Sequence, residues 1–291
     1  MKGRVMKKVD TLVKDILSTI DVGIAEIQPK NMAWFLEDIE HAMSRQLLAT
    51  ERTDHSTLRM SNIGKGDRQV WYDVNGNDTK ESLTPETRLK FLFGDIIESL
   101  MLFLTKEAGH KVEHEQHMVE IEGIKGHIDA KIDGALVDVK SASSFAFKKF
   151  DTGTLADDDA FGYMAQISAY AHAEDTEEAG FLVMEKQLGK LTYMPVHKME
   201  RINPVERIKH MKKVVESSEP PERCYEPVAD GKSGNMKLGV NCSYCAHKQT
   251  CWSDANDGKG LRTFFYSYGP RWLTEVVREP DVPEKGVNKD A

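Results

Sequence analysis

Residues 126–143 read GHIDAKIDGALVDVKSAS. Apolar and polar side chains alternate on either side of Asp133-Gly134, which reads as two short strands joined by a tight turn. Strands of this kind bury apolar side chains, yet Asp129, Asp138 and Lys140 stand among Ile, Ala, Leu and Val. Any fold for this chain has to account for two acids and a lysine in a sheet.

The flanking sequence supplies the remaining layers. LTPETRLKFLFGDIIESLMLFLTKEAGH gives the clearest helix, with Thr84 as N-cap, Pro85 at the first helical position and Gly109 at the end. Helices are also expected over about 8–20, 31–49, 156–173 and 203–217, and strands over about 111–121, 126–133, 136–142, 179–187 and 190–197. A loop followed by a short helix or strand is expected around STLRMSNIGKGDRQVWYDV. This order predicts an α/β fold, a mixed central sheet flanked by helices. The expected organisation is a helical region at 1–55, a core at 56–218, a cysteine-rich and aromatic segment at 219–275 and a disordered tail at 276–291.

The 291-residue chain is 40% hydrophobic, enough for a sizeable core. No run of about 18 apolar residues exists to span a membrane. The basic start leads into an amphipathic pattern rather than a signal peptide, and a cytoplasmic location is expected. A net charge of −8 argues against a passive nucleic-acid coat, but not against an enzyme with a local basic groove. The four cysteines all fall between residues 224 and 251, a cluster that suggests a metal site rather than disulfides.

Asp138 and Lys140 are two apart and share a strand face, while Val137 and Val139 take the other. Asp129 is expected on the neighbouring strand, within about 5 Å. Two carboxylates so placed repel one another unless a divalent cation sits between them, and hard oxygen ligands suit Mg2+ or Mn2+. A lysine beside them can hold a metal-bound water or stabilise charge on a phosphate. The competing reading is a surface hairpin whose acids pair with lysines. Glu98 lies in the strongest helix, either at its polar edge or pointing into a site. Tyr163, Gln166 and Tyr170 fall on one helical stripe, suited to core packing or to holding nucleotides.

The series Glu98, Asp129, Asp138-Val139-Lys140 and Gln166-x-x-x-Tyr170 resembles the PD-(D/E)XK nuclease superfamily, in its RecB-like branch. MSNIGKGDRQVWYD and CSYCAHKQTC are similar to the two cysteine-bearing ends of CRISPR-associated and phage-type iron–sulfur exonucleases, so the resemblance spans roughly 58–252. It implies a restriction-endonuclease-like core and a metal-dependent DNA exonuclease. Glu98, Asp129 and Asp138, with the Val139 carbonyl, would hold Mg2+ or Mn2+, and Lys140 would orient the attacking water. Gln166, Tyr170, Tyr163 and Arg68 would contact DNA, with Arg59 a further phosphate contact. Two positions depart from the pattern. Glu98 stands where the family often has histidine, and Gly66 where it often has cysteine.

Cys242-x2-Cys245-x5-Cys251 matches the late triplet of that family, and Cys224 is the cysteine left to complete four. Four thiolates suit a [4Fe–4S] cluster or tetrahedral Zn2+, and the resemblance favours the cluster, in a structural role. His110, His114, His117 and His127 are expected on exposed strand faces or edges, and His247 on the surface. RTFFYSYGPRW, at 262–272, is expected to pack on the core, with base stacking as the alternative. DNA is the expected partner, in a phage or mobile-element setting of recombination, repair or degradation. Partner proteins of recombination or replication and self-association stay open. From another class, a non-cleaving DNA-binding module with the same fold, or a zinc-ribbon adaptor, would use part of the same residues.

Overall fold

The hairpin forms, and it lies in a five-stranded sheet. The computed structural model describes residues 7–48, 57–76 and 84–286, which fall into two units. The first unit holds 7–48, 59–64 and 84–209 of these, and the second holds 57–58, 65–76 and 210–286. The basic start at 1–6 and the end of the expected tail at 287–291 lie outside the described residues, as does the last residue of the helix expected at 31–49.

The helices and strands in chain order begin with α1 (Leu12–Val22), α2 (Pro29–Leu47), α3 (Asp67–Asn75) and α4 (Pro85–Glu107). There follow β1 (Val112–Glu113), β2 (Met118–Ile121), β3 (Ile124–His127), β4 (Ala130–Ile132), β5 (Ala135–Ala142), α5 (Ser144–Asp151) and α6 (Tyr163–Ala173). Next come β6 (Ala179–Glu185), β7 (Leu191–Pro195) and α7 (Pro204–Glu216), and then β8 (Val228–Ala229) and β9 (Met236–Lys237). Three one-turn helices, α8 (Val240–Ser243), α9 (Lys248–Cys251) and α10 (Ala255–Gly258), precede β10 (Arg262–Tyr266) and β11 (Gly269–Glu275).

In the first unit the strand order is β1-β4-β5-β6-β7, with β5 and β6 parallel and the other neighbours antiparallel. It is a mixed sheet flanked by helices. Val137 and Val139 on β5 and Leu182 on β6 pack in one buried cluster with Ile97 and Met101 of α4 and Leu12 and Ile16 of α1. Asp138 is in register with Phe181 of β6, whose ring meets Phe150 of α5 and Tyr163 of α6. The face of β5 opposite the Val137–Val139 cluster therefore carries Asp138 and Lys140.

Local chemistry sets the element ends. Thr84 accepts the Thr87 N–H at 3.3 Å to start α4, and Gly109, at φ 83°, follows its last turn. Asp133 (φ 51°) and Gly134 (φ 94°) make the left-handed pair that a two-residue hairpin turn requires, and Glu122-Gly123 does the same between β2 and β3.

Several expectations are corrected. The strand expected over 111–121 breaks into β1 and β2, which belong to different sheets, because His114 (φ 55°) and Gln116 (φ 52°) turn the chain between them. The strand expected at 126–133 likewise breaks at 128–129: β3 pairs with β2 alone and β4 joins the central sheet. The helix expected from 156 begins at Tyr163, since Gly162 is left-handed (φ 75°) and Asp159 accepts the N–H groups of Tyr163 and Met164 at 2.9 and 2.7 Å. Helix α5, capped by Ser143, was not anticipated.

In the second unit β10, β11, β9 and β8 form a four-stranded sheet in that order. RTFFYSYGPRW builds the β10–β11 hairpin, burying Phe264 and Leu273 while Phe265 and Tyr268 face solvent. Residues expected to lie in a disordered tail pair with β10: Phe265 N–H donates to the Pro283 carbonyl and Lys285 N–H to that of Thr263, both at 2.9 Å. Arg262 is held by Glu279 and Glu284.

Candidate active site

Four charged side chains meet in the first unit: Glu98 from the middle of α4, Asp129 from the break between β3 and β4, and Asp138 and Lys140 from β5. Asp129 is not on a regular strand as expected. Leaving the ladder lets its side chain turn across to β5, where Oδ2 accepts the Val139 N–H at 2.7 Å. Asp138 is 2% exposed, its Oδ2 lies against the Lys140 ammonium, and its Oδ1 has no hydrogen-bond partner among the described residues. Buried polar atoms of native proteins are almost always satisfied, so Oδ1 is the open side of this carboxylate's chemistry, the oxygen with no partner of its own among the described residues.

The electrostatics match that geometry. Burial, reinforced by the charges of Asp129 and Asp138 and opposed by Lys140, pushes the Glu98 carboxyl well above the usual carboxylate range. Burial and the charge of Asp138 do the same to Asp129, against Lys140 and the Val139 N–H. Burial works to lower Lys140, but the carboxylates of Asp138 and Asp129 outweigh it and hold the ammonium above its ordinary value. The group therefore favours proton retention on two acids, or a cation among them.

Helix α6 presents the expected stripe. Gln166 Nε2 donates to the Tyr170 hydroxyl at 3.2 Å, and Lys140 Nζ lies 5.1 Å from the centre of the Tyr163 ring. Tyr170 is 3% exposed, so its ring is a packing surface rather than a stacking platform, and burial pushes its hydroxyl up to about 12. Gly126 makes the room: a Cβ there would fall 2.6 Å from Tyr170 Cε1. Gly64, from the expected loop motif, backs onto Gly162 at the start of α6, where a Cβ would fall 2.3 Å from the Gly162 carbonyl oxygen.

One participant was not foreseen. Gln116 Nε2 donates to Glu98 Oε1 at 2.6 Å, and its own N–H donates to the Asp129 carbonyl at 3.2 Å. Nothing in the sequence marks it, because the left-handed turn that aims it inward interrupts what reads as a continuous strand.

Cys224, Cys242, Cys245 and Cys251, all in the second unit, line a single cavity. Burial pushes the Cys242 thiol up to about 12 and Cys245 up to about 11, with the neighbouring cysteines adding to both shifts. The Cys242 and Cys245 thiols so placed ionise at neutral pH only if a cation supplies the compensating charge. A Cβ on Gly66 would lie 2.5 Å from Cys224 Sγ, so Cys224 occupies the space that a side chain at position 66 would take. Arg68, expected to touch DNA, lines this cavity and donates from Nη1 to the Pro221 carbonyl at 2.5 Å.

Two histidine expectations fail. His247 is 1% exposed, with Nε2 3.0 Å from Asp73 Oδ1 and its ring stacked on Tyr72. His110 is also buried, with Asp133 Oδ2 at 2.6 Å and Asp15 Oδ2 at 3.2 Å.

No protein-family model and no curated protein matches the chain. Among solved structures it is similar to SSO0001, at 14% identity and a TM-score of 0.40, over 76% of this chain and 95% of that one. It is also similar to a phage related exonuclease from Haemophilus somnus 129PT, at 16% identity and a TM-score of 0.38, over 56% of this chain and 91% of that one. A third is an alkaline exonuclease from Laribacter hongkongensis, at 12% identity and a TM-score of 0.33, over 61% of this chain and 89% of that one.

Proposed function

We propose that the chain is a metal-dependent deoxyribonuclease acting on DNA ends. Asp138 carries the reading: a buried carboxylate with Oδ2 against the Lys140 ammonium and Oδ1 without a hydrogen-bond partner among the described residues, grouped with Glu98 and Asp129. A surface hairpin with solvated acids would show none of these features.

The donor set is all oxygen and suits Mg2+ or Mn2+, held by Glu98, Asp129 and Asp138 with the Val139 carbonyl. When bound, such an ion polarises a phosphate and makes hydroxide available at neutral pH. Lys140, kept protonated by its carboxylate neighbours, orients the attacking water and offsets charge that builds on the phosphate oxygens. The Val139 N–H fixes one oxygen of Asp129 and leaves the other to face the site. Gln116 does the same for Glu98. Tyr170, packed against Gly126, holds the Gln166 carboxamide, and the half-buried Gln166 and Tyr163 position the DNA strand.

The four cysteines are assigned a [4Fe–4S] cluster, with Zn2+ as the alternative that the same thiol set admits. Iron with a visible charge-transfer absorption supports the cluster, and zinc alone supports the alternative.

Calorimetric titration with Mn2+ tests the carboxylate site. The wild type is expected to bind with release of protons from the raised acids, and Asp138→Asn, its fold checked by circular dichroism, is expected to lose that heat. Binding by the variant equal to the wild type would contradict the assignment.

A further inference from the structure

The strand break at residues 114–117 also gathers a second group of ligands, outside the acids just described. His114 Nδ1 lies 3.1 Å from Glu174 Oε2, and His117 Nε2 lies 3.9 Å from Glu174 Oε1. The three ligand atoms all fall within 4.8 Å of one another, the one such trio of His, Cys, Asp or Glu found among the described residues. A tetrahedral Zn2+ with bonds of about 2.0–2.1 Å sets its ligand atoms about 3.4 Å apart, so the trio needs only small side-chain shifts to close on an ion. Both imidazoles are about half exposed, which leaves a fourth position open to water.

The geometry points to a transition-metal site, distinct from the acid cluster and from the cysteines, in which His114, His117 and Glu174 bind Zn2+. Two neutral nitrogen donors and one carboxylate favour a borderline ion of this class over Mg2+ or Ca2+, which want oxygen. Glu174 is prepared for the role: its side chain is 8% exposed, and Lys131 Nζ lies 3.3 Å from Oε2, fixing the carboxylate as outer partners of metal ligands do. The Lys131 charge opposes a second cation, which further favours an ion bound through imidazole rather than by charge alone.

The placement gives the ion a structural consequence. Glu174 follows the last residue of α6, the helix that carries Gln166 and Tyr170. His114 and His117 bracket Gln116, whose side chain donates to Glu98. Zn2+ at this position would pin the Gln116 turn to the end of α6, coupling two elements that border the acid cluster.

The test uses the full chain with its cysteine site loaded and Mg2+ in excess. Zn2+ uptake is measured by equilibrium dialysis, and Co2+ is used as a spectroscopic probe. The wild type is expected to take up one more equivalent of Zn2+ than His114→Ala/His117→Ala, to gain melting temperature on doing so, and to show Co2+ bands without thiolate charge transfer. Glu174→Gln, which keeps the side-chain size, is expected to bind at least about tenfold more weakly. Unchanged melting of the double variant without Zn2+ shows that its fold is intact. Equal Zn2+ uptake by wild type and double variant, or a Co2+ spectrum dominated by thiolate, would overturn the site.

Discussion

Lys140 and Asp138 are mutually dependent at the scale of single residues. A buried ammonium is kept ionised by the carboxylate beside it, and removing either leaves an uncompensated charge. The raised acids make a pH prediction whose sign follows from linkage. Glu98 and Asp129 hold protons in the folded chain at pH values where the unfolded chain, with ordinary values of 4.5 and 3.8, has lost them. Their contribution to stability is complete below those ordinary values and is lost as pH rises through the raised ones, at about 1.4 kcal/mol per pH unit for each proton. With Mg2+ and Mn2+ chelated, the melting temperature should therefore fall as pH rises through neutrality. The increase produced by adding either ion should grow over the same range, and an ion effect independent of pH would contradict this picture. Gly126 gives a packing test: Gly126→Ala pushes a Cβ into Tyr170 and should cost about 1–3 kcal/mol in urea unfolding.

Helix α6 shows at the scale of elements how a short signal sets a site. Its start is fixed by Asp159 reaching the N–H groups of Tyr163 and Met164. Asp159→Ala should therefore lower stability by about 0.5–2 kcal/mol, measured by thermal or urea unfolding. The Gln166–Tyr170 stripe was legible because helical spacing alone puts those residues on one face. The α4 cap, the Asp133-Gly134 turn and the Asp138/Lys140 face were legible for the same reason, each being local chemistry. The break at 128–129 was not, because alternation continues through it, and the turn at 114–117 was not, because its left-handed residues are His and Gln rather than glycine. The same stripe suits core packing or nucleotide binding equally, and what buries Tyr170 is Gly126 of β3, a neighbour that no local pattern reveals. Helix α5 is only 8 residues long and follows directly on a strand, so its periodicity is too brief to read.

Across the whole molecule, each of the two units carries its own chemistry: carboxylates and a lysine in the first, four cysteines in the second. No helix among the described residues is long and apolar enough to cross a membrane. In the second unit, Gly66 and Cys224 compete for one space, which predicts the outcome of an exchange. Cys224→Ala should lose bound metal, and adding Gly66→Cys to that variant should restore it, as read by elemental analysis of the purified chain. Cleavage of end-labelled linear DNA, single- and double-stranded, in Mn2+, with wild type beside Lys140→Ala, is the most direct test of the acid–lysine cluster as a nuclease site. Laddering from one end by the wild type, slowed at least about a hundredfold in a folded Lys140→Ala, is the predicted result. No cleavage by a folded, metal-loaded wild type, or equal cleavage by the two proteins, would contradict it.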